Sequence, residues 1–588
     1  MIKKLWRYAG SYRWLVLLSP LCVMADVVCE LFMPMLMGKI VDRGIPALNL
    51  QYIMQIGILM IGLGLVAMLF GSLNHRLAAV ASQGFAANVR QALFDKVQSF
   101  SFSNIDTFST ASLVTRLTND VTQLQNTVLM SMRMLTRAPL MLTCALIFAI
   151  AINARLAIIL FFAIPVLIAG IALVVAKAEG LFMAVQERID AVNRSVEENL
   201  IGIRVIKAFV REPHEKAKFK KSNDDLTNTA VTAGNLIVTI TPLMMLVLNL
   251  ATLAVIWFGG GMVGRHQMGA GELASFISYI LQILMSILMV SMTLMMVARA
   301  RASMERILEV LDTVPDIADT DLAPRTDKAG SSEGATVRQG AIEFRDVNFR
   351  YAASGNGENV LSEINLAIKP GEFVALVGGT GSGKSSLVSL IPRLYDVSDG
   401  RVLVDGIDVR DYRLATLRSA IGMVLQKNEL FSGSIRENLL WGNAAATQEE
   451  IERAARNAQA HDFIMDFPEE YDTDLGQGGV NVSGGQKQRL CIARALLKHP
   501  RILIMDDSTS AVDTATEAKI RSSFREHLSD TTILIIAQRI SSVQDADKIV
   551  VLDDGHIAGI GTHAELLAGN PVYQAICASQ MEGVASDD

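Results

Sequence analysis

Near 15–37, 52–74, 134–152, 156–176, 238–263 and 273–297 this 588-residue chain carries six long, predominantly apolar segments. About 20 residues at a helical rise of ~1.5 Å cover the hydrocarbon core of a bilayer, so each segment predicts a spanning helix. The whole-chain figures agree: 51% hydrophobic residues and 19% charged exceed what a soluble globule shows, and the excess sits in the first half. The short loops around Asn49, Asn153 and His266 carry few basic residues. The long stretches 75–133 and 177–237 carry many, among them Arg76, Arg90, Lys96, Arg116, Arg133, Arg188, Arg194, Arg204, Lys207 and Arg211. The positive-inside rule therefore predicts both long stretches and both termini on the cytoplasmic side. Residues 1–14 are basic and amphipathic (Lys3, Lys4, Arg7 and Arg13 beside Leu5, Trp6, Tyr8 and Trp14), which predicts an interfacial helix rather than a cleaved signal.

The second half reads as a soluble α/β domain. Phe373 to Val377 is an apolar strand leading into Gly378-Gly379-Thr380-Gly381-Ser382-Gly383-Lys384-Ser385, with a helix expected from Ser386 to Leu394. This is the strand, glycine loop and helix of a P-loop. Its backbone N–H groups wrap phosphates, Lys384 reaches the terminal ones and the Ser385 hydroxyl binds Mg²⁺. Downstream, 482–513 reads VSGGQKQRLCIARALLKHPRILIMDDSTSAVD. Ser483-Gly484-Gly485-Gln486 opens an amphipathic helix over Lys487 to Lys498, a place suited to an anion by its free N–H groups and dipole. After His499-Pro500, Ile502 to Met505 forms a strand that delivers Asp506 and Asp507 at its C-terminal end, where α/β sheets set acids beside phosphate.

These motifs resemble the nucleotide-binding domain of an ATP-binding cassette (ABC) transporter, and the resemblance covers nearly the whole chain in the manner of a half-size ABC exporter. It implies an all-α transmembrane domain with six spanning helices and long cytoplasmic extensions, followed by an α/β P-loop cassette. The boundaries expected are an elbow helix 1–14, transmembrane domain 15–311, linker 312–340 (rich in Asp, Pro, Thr, Gly and Ser), cassette 341–580 and tail 581–588. Within it, Gly378 to Ser385 with Ser386 is Walker A, Ile502 to Asp506 is Walker B, and Val482 to Gln486 is the signature acting on a partner's ATP. Gln426 lies in the Q-loop, Ser510 to Asp513 is the D-loop, and Tyr351 is the aromatic stacking on adenine. Ser385, Gln426 and Asp506 are the Mg²⁺ ligands so implied. Breaks in the two long stretches, at Ser101 to Phe108 and at Ala208 to Glu215 with Pro213 as breaker, become coupling helices seated on cassettes. Without the resemblance they are turns of solvated helical hairpins.

Departures from the family pattern carry as much information. Asp507 stands where a catalytic Glu is usual, one methylene shorter, and misplacing a catalytic group by ~1 Å can cost on the order of 10²-fold. Gln538 stands where a His is usual; it can donate to the γ-phosphate but cannot relay a proton or carry charge. Gln477 replaces a frequent Glu at the contact between cassette and membrane domain. Lys384 and the other binding groups are intact, as is the signature. The resulting expectation is one half of a heterodimeric exporter with a degenerate ATP site of its own. It would drive an amphipathic or hydrophobic substrate (drug, lipid or peptide) across the cytoplasmic membrane, using ATP and Mg²⁺ and pairing with a second half-transporter. A homodimeric lipid or peptide flippase with slow turnover, and a nucleotide-gated channel or sensor, are the competing readings.

In the membrane half, Asp26 and Glu30 lie i, i+4 on the first span, either to recognise a cationic or protonatable substrate or to link a neighbouring helix. Ser278, Gln282 and Ser286 repeat every four residues on the sixth and are candidates to line a path, beside methionines that suit packing as well as a pocket. Five scattered cysteines read as buried thiols, and a net charge of −6 with no basic-aromatic patch argues against a nucleic-acid partner.

Overall fold

The computed structural model describes residues 2–319, 335–351, 357–507, 512–537 and 539–585. The chain divides into two compact units. One holds Met1–Lys96 with Leu113–Asp312, the other Val97–Ser112 with Thr313–Asp588.

Among the described residues the first unit has six helices long and apolar enough to cross a membrane. In hydrocarbon a helix satisfies its own backbone groups, which is why apolar segments of this length take that form. The helices run well beyond the apolar segments: Leu50–Gln98 has 49 residues and Ala154–Ile201 has 48. The first span, Arg13–Lys39, follows a short helix and a tight turn in which Gly10 has φ +51°, so the expected elbow is bent at a glycine. Asn153 caps Ala154–Ile201 by accepting from the N–H groups of Arg155 and Leu156, which explains how so short a loop turns two spans. Val27, Leu31, Leu160, Leu167, Phe276, Ile280 and Ile283 form the fully buried core, and the Tyr279 hydroxyl donates to the Leu31 carbonyl at 2.6 Å. Helices Arg13–Lys39 and Ala270–Asp312 touch backbone to backbone at Gly38, where a Cβ would lie 2.7 Å from the Gly271 carbonyl oxygen.

The second long stretch breaks differently from the sequence expectation. A helix over Ile203–Ala208 ends in a turn where Val210 has φ +54°, and Glu212–Val238 follows. Pro213 lies in the first turn of that last helix, where its missing N–H costs nothing. It starts a helix rather than breaking one.

The second unit is built on two sheets. Strands β1 (Ile342–Phe349), β2 (Leu361–Ile368), β3 (Phe373–Gly378), β4 (Asp399–Val404), β5 (Ile407–Asp408), β6 (Ile421–Val424), β7 (Ile502–Asp506), β8 (Thr532–Ile536), β9 (Lys548–Asp553) and β10 (His556–Gly561) follow in that order. The antiparallel sheet runs β2-β1-β4-β5; the larger runs β10-β9-β3-β8-β7-β6, parallel except for β10. Both faces of the larger sheet are covered. Ala375, Val377, Leu503, Met505, Ile533 and Ile535 enter one core, while Val374, Leu376, Ile502, Ile504, Leu534 and Ile536 enter the other. That alternation is why these strands read as unbroken apolar runs. β3, β8 and β7 lie side by side, so the loops after them open on one edge, where parallel sheets bind ligands. Cys22, Cys29, Cys491 and Cys577 are buried thiols, and Cys144 is half-buried.

Candidate functional site

The loop after β3 closes on the helix Lys384–Leu390, with Gly381 at φ +85° and Gly383, its N-cap, at φ +91°. Only glycine adopts these angles without cost, so glycine at these two positions is a backbone requirement. The Lys384 ammonium turns back into the loop, donating to the carbonyls of Gly378 at 3.0 Å and Gly379 at 2.6 Å, and to the Ser382 hydroxyl at 3.2 Å. Thr380 is exposed beside it. The Ser385 hydroxyl donates to Asp506 Oδ1 at 2.9 Å, joining the P-loop to the end of β7. Ser386 is buried and shares a 2.8 Å hydrogen bond with the Tyr351 hydroxyl.

Asp506 and Asp507 lie together at the edge of the sheet. Burial holds both carboxyls above the ordinary carboxylate range; the Ser385 hydrogen bond and Lys384 oppose this for Asp506, and Asp507 adds to it. Burial likewise lowers the Lys384 ammonium, although both carboxylates draw it back up. A desolvated set of two acids and one base is costly by itself and suits a ligand bearing a polyphosphate and a cation. For Mg²⁺ the oxygen donors fit: a serine hydroxyl in contact with a carboxylate is the sparse protein share this ion takes when phosphates supply the rest. Among the described residues no cluster of three or more His, Cys, Asp or Glu makes an all-protein metal cage.

Asp507 has φ +48°. Its N–H donates to the Ile536 carbonyl at 3.1 Å, and its carbonyl accepts from the buried Gln488 amide at 3.4 Å. Its carboxylate accepts from the exposed Gln426 at 3.5 Å, a long contact. Gln538 and Ser510 lie outside the described residues. Asp513 caps Thr514–His527 by accepting from the Thr516 N–H at 2.9 Å, and that bond holds its pKa down.

The Ser483-Gly484-Gly485-Gln486 segment forms a reciprocal cap on the helix Gly484–Leu496. The Ser483 hydroxyl accepts from the Gln486 N–H at 3.3 Å, and the Gln486 side chain accepts from the Ser483 N–H at 2.8 Å. The Gln486 side chain is therefore committed to holding the helix start. Gln477 is exposed between Gly476 and Gly478, both at positive φ.

Residues that sequence reasoning missed connect these parts. Tyr395 packs edge-on to Tyr351 at 5.2 Å and near Phe349 at 5.7 Å. Its hydroxyl donates to Asp106 at 2.7 Å, and its ring meets Phe102 at 6.0 Å. Phe102 and Asp106 belong to the short helix Phe102–Phe108, capped by Ser101 and packed within the cassette unit. Ser103 of that helix donates to Asp316 at 2.5 Å.

In the membrane unit, Arg137 forms ion pairs with both Asp26 and Glu30. The linking alternative for these two acids thus has a partner, on the third span. Ser278 and Ser286 donate to the carbonyls of Ala274 and Gln282 in their own helix; Ser286 is buried, while Ser278 and Gln282 are half-buried.

The model of the ABC transporter transmembrane region matches residues 16–287, and the ABC transporter model matches 361–510. The uncharacterized ABC transporter ATP-binding protein YfiB of Bacillus subtilis is 40% identical over 582 residues, 98% of each chain. An ATP-dependent lipid A-core flippase of Syntrophus aciditrophicus is 34% identical over 497 residues, 84% of this chain and 80% of that one. The structure of a bacterial Atm1-family ABC exporter with ATP bound shares the fold at a TM-score of 0.77, with 24% identity and 98% of both chains covered.

Proposed function

The chain belongs to the ABC transporter family, with a transmembrane domain and an ATP-binding domain in one polypeptide, and from that premise we propose that it is one half of a heterodimeric exporter whose own Walker loops hold ATP more readily than they hydrolyse it. The supporting observation is the anchoring of Asp507. Its backbone is held on both sides, by Ile536 and by buried Gln488, in a left-handed conformation. A backbone so fixed cannot advance to compensate for a side chain one methylene short of Glu.

In this reading the N–H groups of Gly378 to Ser385 wrap the phosphates, and Lys384 exchanges its carbonyl partners for phosphate oxygens. Tyr351 stacks on the base. Ser385, Asp506 and Gln426 hold Mg²⁺, which when bound offsets charge on the transferred phosphoryl group. Asp507 orients water poorly, and Gln538 donates a hydrogen bond without relaying a proton. The site is closed by the partner's signature, while Ser483 to Gln486 of this chain complete the partner's site in exchange. The helix Phe102–Phe108 and the turn at Phe209 to Glu212 are the coupling elements.

The membrane is the cytoplasmic one, with the cassette on its inner side. The substrate is amphipathic or hydrophobic, a class to which the lipid of the Syntrophus relative belongs. Purification from native membrane tests the assembly. A second half-transporter should copurify in equal amount, and this chain alone should bind Mg-ATP yet turn over at least about tenfold more slowly than the pair. A stoichiometric homodimer with full turnover would refute it.

A further inference from the structure

The first span places Asp26 and Glu30 one turn apart, with Asp26 at the midpoint of the apolar segment 15–37. Arg137 bridges them, one guanidinium nitrogen to each carboxylate. These groups line a cavity of about 710 Å³, together with Met33 of the first span, Met68 and Gly71 of the second, and His75 just beyond it on the same helix. That volume lies within the range of small-molecule sites. Gly71 faces Asp26 without a side chain: a Cβ there would already lie 3.7 Å from Oδ1. The two methionines give the walls an apolar, adaptable lining.

The acids outnumber the base: two carboxylates face one guanidinium, with the imidazole of His75 held through Nδ1 against the Gly71 carbonyl at 2.7 Å. A purely structural link between spanning helices is best served by one acid and one base, because a surplus charge beside hydrocarbon is costly. The two acids also differ in access: the Asp26 side chain is 13% exposed and that of Glu30 is 39%. Asp26 is the anchor for Arg137, and Glu30 is the carboxylate open to a ligand. We propose that this cavity binds a hydrophobic monocation, with Glu30 as its counter-ion, Arg137 as the group that positions both acids, and Met33 and Met68 against its apolar body. This rests on the exporter reading and names the substrate class for it.

Tetraphenylphosphonium and tetraphenylborate are matched in shape and opposite in charge, and so isolate the feature at issue. The full chain with its copurifying partner is placed in lipid nanodiscs, and saturable binding of each ion is measured above partition into empty discs, alongside ATPase activity. The cation should bind saturably and change the ATPase rate, and the borate should do neither. Glu30→Gln should weaken cation binding at least about tenfold, and Glu30→Asp should restore most of it. Equal binding of both ions, or cation binding untouched by Glu30→Gln, would overturn the proposal. If the Gln variant does not assemble, the comparison of the two ions on the unaltered protein decides alone. The two readings fail separately. An active ATPase with no saturable cation binding removes the site, whereas saturable, Glu30-dependent binding in a protein whose ATPase ignores the cation removes the exporter reading.

Discussion

Lys384 and Asp507 carry opposite halves of the account. Lys384 makes three hydrogen bonds inside its own loop, so losing it removes both a loop constraint and a charge-assisted phosphate contact. Lys384→Ala should weaken ATP binding by about 1.5–3 kcal/mol, or roughly ten- to a hundredfold, in a direct nucleotide-binding titration. Tyr351→Ala should cost only severalfold. Unchanged affinity in Lys384→Ala would disprove the assignment of the P-loop. Asp507 gives a prediction about pH. Burial raises its carboxyl, so the folded protein loses stability as the pH climbs past the unfolded-chain value of about 3.9 and the buried group must ionise. Asp507→Asn keeps a residue tolerated at positive φ and relieves Asp506 as well. Without nucleotide it should therefore melt about 1–3 °C higher at pH 7, an advantage that shrinks as the pH approaches 4. A lower melting temperature at pH 7 would contradict the burial argument. The P-loop, the acids of β7 and the signature were legible beforehand because each is a contiguous run whose spacing follows from one turn of backbone. Arg137, Tyr395 and Gln488 were not, because each acquires its role from a partner more than a helical turn away in sequence.

At the scale of elements, the helix Phe102–Phe108 is a seven-residue piece between two long helices, and it belongs to the cassette unit. The Tyr395 hydroxyl ties it to the aromatic group around Tyr351 through Asp106. Burial and the neighbouring Asp106 carboxylate both push the Tyr395 hydroxyl upward in pKa, so it stays a donor throughout the physiological range. Tyr395→Phe keeps the ring contacts and deletes this bond. Affinity for ATP should stay within about twofold, while stimulation of ATPase by substrate is lost; Asp106→Ala should behave alike, and Asp106→Asn, which retains an acceptor, should keep most of the response. Full stimulation in Tyr395→Phe would remove the bond from the coupling route. The helices themselves were legible from apolar length and the strands from unbroken apolar runs. Breaks are less legible than helices. The break at 208–215 is visible in the sequence with Pro213 as its marker, yet the chain turns at Val210, a β-branched residue at positive φ that local propensity argues against.

For the whole molecule, the exposed apolar surface is what calls for a partner and a bilayer. None of the most apolar part of Leu50–Gln98 is buried within the chain, and Phe161 and Trp257 are likewise largely bare. Six spans and one cassette make half of an exporter; in the function proposed above, the altered hydrolysis groups beside an intact signature would make it an unequal half. No single residue of the sequence states the proposed inequality; it is argued from the contrast between Asp507 with Gln538 and Ser483 to Gln486. Steady-state ATPase of the purified two-chain complex tests it most directly, with two variants of this chain compared in the same preparation. Asp507→Asn should leave turnover largely intact, whereas Ser483→Ala and Gly484→Asp should remove most of it although neither residue belongs to this chain's own Walker loops. Near-total loss with Asp507→Asn, or little loss with the signature variants, would contradict the degenerate-site account and point to a homodimer hydrolysing at two equal sites.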